Sequence, residues 1–151
     1  MTDFDKHYHS LENMYLKAAI NAVHFPSTQI HISSGQAEIQ IETNDSYHHA
    51  MHATHGAVYF KLLDDAAFFA AQSLEPSYFI LTKTYQVSLK RPIHNEKIRC
   101  VGEIITENDN EIQARATLYL DSGKIAATGE GVFVKSGMEL SSTRSYCLPH
   151  G

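Results

Sequence analysis

The sequence predicts an α+β protein in which an antiparallel sheet of about six strands curls around one long central helix. Three observations carry this reading. The stretch GAVYFKLLDDAAFFAAQS, starting at Gly56, is helical in composition and apolar on most sides, which marks a helix wrapped by other structure. Strand-like runs that alternate apolar and polar residues stand on both sides of it, two before and four after. Clustering of strands after a single helix, without helices between them, argues against a parallel βαβ sheet.

Each element has its own signal. Leu11, Met14, Tyr15, Ala18, Ala19 and Ala22 recur at helical spacing, so Ser10 to Ala22 reads as a short amphipathic helix stopped by Pro26. Ile30 and Ile32, a turn at Ser34-Gly35, and then Ala37, Ile39 and Ile41 read as a hairpin with one buried face. Asn44 to Thr54 is irregular and rich in histidine. The alanines of the central helix allow close packing. Phe79, Leu81, Tyr85, Val87 and Leu89 alternate as far as Pro92, and a second run spans Lys97 to Thr106. After a turn at Asn108-Asp109-Asn110, Ile112, Ala114, Ala116, Leu118 and Leu120 alternate strictly. Asp121-Ser122-Gly123 turns the chain into a last strand, Ile125 to Val134. The reading is one domain over residues 1–151, with a core of about 28–135. The polar, serine-rich stretch 136–151 is expected to fray.

Composition narrows the function. The 151 residues are 43% hydrophobic and 19% charged, the balance of a folded chain and not of a disordered one. No apolar run approaches the ~20 residues that span a bilayer. The first residues are polar and acidic, without an apolar signal core, so the expected location is cytoplasmic. A net charge of −5 makes broad capture of nucleic acid an unfavourable reading. Cys100 and Cys147 sit in no metal or redox motif.

Asp64 stands out on physical grounds. Helical spacing places it on one stripe with Ala57, Phe60, Phe68 and Ala71. A carboxylate on an apolar stripe is costly unless something pairs with it or uses it, and burial raises its pKa toward that of a general base. Its alternative role is a structural cap or ion pair. Asp65 lies four residues after Lys61, at the spacing of a surface ion pair. At the helix start, the backbone N–H groups of Gly56 and Ala57 lack intrahelical partners and sit at the positive end of the helix dipole. A simple turn glycine is the other reading of Gly56.

The element order, His55-Gly56-Ala57 opening the buried helix, and Asp64 nine residues after the histidine resemble the hotdog-fold thioesterases. The similarity is greatest to the acyl-CoA thioesterases of the phenylacetate-degradation type. It extends from about Ile30 to Val134. The strand TKTYQVSLKRPI, Thr82 to Ile93, and the hairpin with Gly123 and Ala126-Ala127-Thr128-Gly129 add to it. The family's motif has a second glycine where Ala57 stands, and an asparagine six residues before the motif histidine, where this chain has His49.

That resemblance implies hydrolysis of an acyl-CoA or related thioester, without a cofactor, in a homodimer or a pair of dimers. It implies Asp64 as general base or nucleophile and the Gly56 N–H as the group that polarises the carbonyl. His55 orients the thioester or only the loop. Thr82 stands where the family strand helps hold a water, although alternation places it on the polar face with Thr84, Gln86 and Ser88. His49 takes the position that the family uses to place water or carbonyl, with Asp64 of one chain facing Gly56 and His49 of the other. Candidate substrate contacts are Ala57, Tyr59, Phe60, Phe68 and Phe69 for the acyl group, and Lys83, Lys90 and Arg91 for the CoA phosphates. Each of these side chains also has a plain reading as core or solvated surface charge. His48, His49, His52 and His55 raise the question of zinc, but no acidic or thiol ligand stands at motif spacing, so no metal is expected. A non-catalytic acyl-CoA-binding protein and a hotdog hydratase or dehydratase are the rival functions.

Overall fold

The computed structural model describes residues 1–150. Six strands form one sheet: β1 Gln29–Ser33, β2 Gln36–Glu42, β3 Tyr78–Leu89, β4 Lys97–Glu107, β5 Glu111–Tyr119 and β6 Ile125–Glu139. Every neighbouring pair is antiparallel, in the order β1-β2-β4-β5-β6-β3. Helix α1 spans Asp3–Lys17 and helix α2 spans Gly56–Gln72. The second of these lies across one face of the sheet and touches all six strands.

Sequence explains why the sheet can hold α2 so closely. Leu62, Leu63, Ala66, Ala67 and Ala71 of α2 are buried in one core with Ile39, Ile41, Ile98, Ala114, Ala116 and Leu118 of the sheet. Small side chains bring backbone against backbone. A Cβ on Gly102 in β4 would sit 2.0 Å from the carbonyl oxygen of Ala66, so only glycine fits at this crossing. At the tight turn between β5 and β6, Gly123 takes φ of 89°, a conformation that glycine adopts without strain.

Two terminal expectations change. The first helix begins at Asp3, not Ser10, because Thr2 and Asp5 form a capping box at its start. It ends at Lys17, and a single π-helical turn, Ile20–His24, follows just before Pro26. Helix α1 lies along β1, where the Ile32 N–H donates to the Glu12 carboxylate at 2.7 Å. Among the described residues of the stretch expected to fray, two points are anchored. Strand β6 runs on to Glu139, which pairs with Tyr78, and Leu140 is fully buried. Tyr146 then bonds back to His7 in α1. The polar composition of the tail concealed these two anchoring side chains.

With α1 against β1, the other edge of the sheet, β3, is left uncovered. Leu81 and Leu89 on it, and Phe60 on α2, are 44%, 52% and 42% exposed.

Candidate active site

Asp64 lies where α2 passes beside β3. Phe60 and Phe68, one turn to either side of it, rest against Tyr85 and Phe79 with ring centroids 5.6 Å apart in both pairs. The Thr82 hydroxyl donates to the Asp64 carboxylate at 2.9 Å. Burial raises the Asp64 pKa; the bond from Thr82 opposes the rise and the charge of Asp65 adds to it, leaving the group at about 6.

The contact from Thr82 contradicts strict alternation along β3, which puts it on the polar face. The cause is a bulge. Thr82 pairs with Phe133 and Thr84 with Val132, so Lys83 is an extra residue. Ahead of the bulge, Ile80 and Thr82 face α2; beyond it, Tyr85 and Val87 do.

Asp65 also departs from its expected setting. Its ion pair with Lys61 is present at 2.9 Å but lies half-buried beneath α1, not at the open surface. The Tyr15 hydroxyl donates to Asp65 at 2.6 Å, and Lys61 also donates to Asn21 at 2.7 Å. Burial and Asp65 hold Tyr15 well above the usual phenol range, so it stays a donor.

A cavity of about 610 Å³ opens beside Asp64 and Thr82. Phe68 and Phe69 line it. Met14, Tyr15, Ile20, Phe79 and Leu81 line it too, together with Thr143, Arg144 and Ser145. Met14 and Tyr15 belong to the helix that the sequence predicted, whereas residues 143–145 lie in the tail whose structure it hid. For the early start of α1, the available signal was the spacing of Thr2 and Asp5.

His49, Gly56 and Tyr59 lie elsewhere, around a shallower hollow of about 400 Å³ with Leu89, Lys90 and Arg91. Gly56 is two helical turns from Asp64, about 12 Å along the axis. Within one chain these two groups of candidate residues are not joined. In the second, His55 turns back on its own helix: its Nδ1 accepts the Ala57 N–H at 2.9 Å. That bond uses the Ala57 N–H and leaves the Gly56 N–H as the donor without a protein acceptor among the described residues. His49 is exposed, and its Nδ1 accepts from the Met51 N–H at 3.1 Å. Tyr59 is core, 4% exposed, with its hydroxyl donating to the Arg91 carbonyl at 2.8 Å. Ala57 is exposed beside the helix start. Lys90 is exposed, and the Arg91 guanidinium bonds the Ile125 carbonyl.

The histidines disperse. His48 bonds Asn95 at 2.9 Å, and His52 takes φ of 63° in a turn. No three His, Cys, Asp or Glu side chains form a metal cluster among the described residues. Nor is any described helix long and apolar enough to cross a membrane.

No protein-family model and no curated protein sequence matches the chain. Solved structures do. The E. coli PaaI protein from the phenylacetic acid degradation operon superposes with a TM-score of 0.77 at 15% identity, over 88% of this chain and 97% of that one. A protein described as from the thioesterase superfamily gives 0.75 at 16% identity, over 86% of this chain and 98% of its own. A Streptococcus mutans protein bound to acetyl-CoA gives 0.67 at 12% identity, over 74% and 90%. The chain has the hotdog fold, and its structural neighbours are PaaI and other proteins of the thioesterase superfamily.

Proposed function

We propose that the protein is a thioesterase that hydrolyses an acyl-CoA or related acyl thioester at a site shared by two copies of the chain. The observation that carries this reading is the half-buried Asp64, bonded to Thr82 at 2.9 Å and brought to a pKa of about 6 beside an apolar cavity. A carboxylate of that pKa is ionised at neutral pH yet basic enough to take a proton from water or attack directly.

The second half-site supplies what the first lacks. The free Gly56 N–H at the start of α2 can donate to the oxygen of the thioester carbonyl as negative charge develops on it. A second copy brings the two together. Strand β3 is an open edge with Thr82 near its start and Leu89, beside Lys90 and Arg91, at its end. Antiparallel pairing of two β3 strands about a twofold axis near Gln86 sets Thr82 of one copy opposite Lys90 of the other. That places Asp64 across from the hollow holding Gly56 and His49, closes both open edges, and gives each dimer two sites. Lys90 then stands at the mouth of the site for the CoA phosphates. Water attacks the thioester carbon, Asp64 takes its proton, and the thiolate leaves as the carbonyl re-forms. Direct attack by Asp64, followed by hydrolysis of the resulting anhydride, gives the same products.

Free-thiol release from a panel of acyl-CoA esters tests the reading. Wild type is expected to release thiol, and Asp64→Asn to lose about 100-fold or more in kcat while still binding the ester. Binding by wild type without thiol release would favour a non-catalytic acyl-CoA-binding protein. Full turnover by Asp64→Asn would remove Asp64 from the mechanism.

A further inference from the structure

We infer that the cavity beside Asp64 is closed by the two ends of this same chain, and that this closure selects a bulky apolar acyl group over an acetyl group. The inference rests on the thioesterase reading for the chemistry and on separate geometry for the selectivity.

The cavity holds about 610 Å³, within the range of roughly 300–1,000 Å³ that encloses drug-sized ligands and far larger than two carbons require. One wall comes from the sheet and central helix: Phe68, Phe79 and Leu81. The opposite wall comes from the end of α1 and the turn after it, Met14, Ala18 and Ile20, and its rim from 143–145. The compared structures align over 90 to 98% of their own lengths but over 74 to 88% of this chain. Part of this chain thus lies outside the fold it shares with each of them.

Both ends are fastened. His7 is buried; its Nε2 faces the Gln72 carbonyl at 2.9 Å, and its Nδ1 the Tyr146 hydroxyl at 2.6 Å. A carbonyl can only accept, so Nε2 carries the proton and Nδ1 accepts from Tyr146. Asn13 donates to the Ser145 carbonyl at 3.1 Å. Asn21, 2% exposed, ties the π-helical turn down by donating to the Tyr15 carbonyl at 2.8 Å and accepting from Lys61.

The inner polar groups at this wall are already partnered, while Lys17 and Arg144, which also line the cavity, are exposed to solvent. The three donors of Lys61 meet Tyr15, Asn21 and Asp65, and Tyr15 donates to Asp65. Such a closed set makes no demand on a ligand, whereas the aromatic and aliphatic surface around it gains from burial against an apolar chain.

The test compares kcat/KM for acetyl-, hexanoyl- and decanoyl-CoA. Wild type is expected to gain up to about fourfold per added methylene until the cavity is filled. Ala18→Phe and, separately, Ala19→Phe narrow the wall formed by the chain's start. Exclusion of even two methylenes lowers the decanoyl-to-acetyl ratio about tenfold or more. Thermal melts establish that each variant is folded. If no ester is hydrolysed, the thioesterase reading fails, and affinities for non-hydrolysable decanoyl and acetyl thioether analogues of CoA give the same ratio without turnover. A wild-type profile that is flat from acetyl to decanoyl, or folded variants whose ratio equals that of wild type, would overturn the inference.

Discussion

At the scale of single residues, Asp64 was legible because helical spacing alone places it between Phe60 and Phe68, where a carboxylate needs a reason to be. What the spacing could not supply was its hydrogen-bond partner or the extent of its burial. In the proposed mechanism Asp64, with a pKa of about 6, works only when ionised. kcat/KM is therefore expected to rise with pH through about 6 and level off above it. The Thr82 bond holds that pKa down, so Thr82→Val is expected to shift the rising limb to higher pH, read from a pH–rate profile. Gly56 allows a sharp test of the other half-site. It occupies the first position of α2, His55 before it has φ −64° and ψ 144°, and a Cβ at Gly56 meets nothing nearer than Leu89 at 3.6 Å. Proline fits such a position and such a preceding residue. Gly56→Pro is thus expected to keep the melting temperature close to that of wild type. It deletes the free N–H and is expected to lower kcat by about 100- to 1,000-fold. His55 shows the limit of sequence reading: both of its possible roles suit a helix start, and only the direction of its ring reveals the bond to Ala57.

At the scale of elements, α2 and the alternating strands were readable because their apolar periodicities are strong and their turns carry Gly, Asn and Asp. The bulge at Lys83 was not. An extra residue in one strand leaves no mark in local composition, yet it decides which face Thr82 joins. The early start of α1 was missed although Phe4 and Tyr8 carry the helical spacing of Leu11 and Tyr15 back toward the capping box. The tail was missed because Leu140 and Tyr146 are lone anchors in a polar stretch. Where α2 crosses β4, the close approach makes a firm prediction. Gly102→Ala would press a methyl into the Ala66 carbonyl, so it is expected to lower stability by about 1–3 kcal/mol through overpacking, measured by urea unfolding. The same change on an open strand would be nearly neutral, so the size of the effect reports the closeness of helix and sheet.

At the scale of the whole molecule, the plan of one sheet around one central helix followed from the order of the elements, and the placement of Asp64 and Gly56 on different chains of one site was implied only by the family resemblance; the structure adds their separation within one chain. It arises because Asp64 and Gly56 point from α2 two turns apart, toward opposite ends of the open strand β3. In the proposed mechanism, neither group of residues alone holds both the base and a free carbonyl-polarising N–H. The proposed β3–β3 dimer removes that deficit and the exposed edge together. Its consequence is complementation between damaged chains. A random dimer of D64N and G56P chains combines both lesions in one site and leaves its other site whole. The most direct measurement is therefore thiol release from a good acyl-CoA substrate by D64N alone, G56P alone, and the two unfolded and refolded together in equal amounts. The account predicts near-zero release by each variant alone and recovery of about a quarter of wild-type activity in the mixture, since half of the dimers carry one intact site of two. A mixture no more active than its components, with mixed dimers shown to be present, would contradict a site shared between chains.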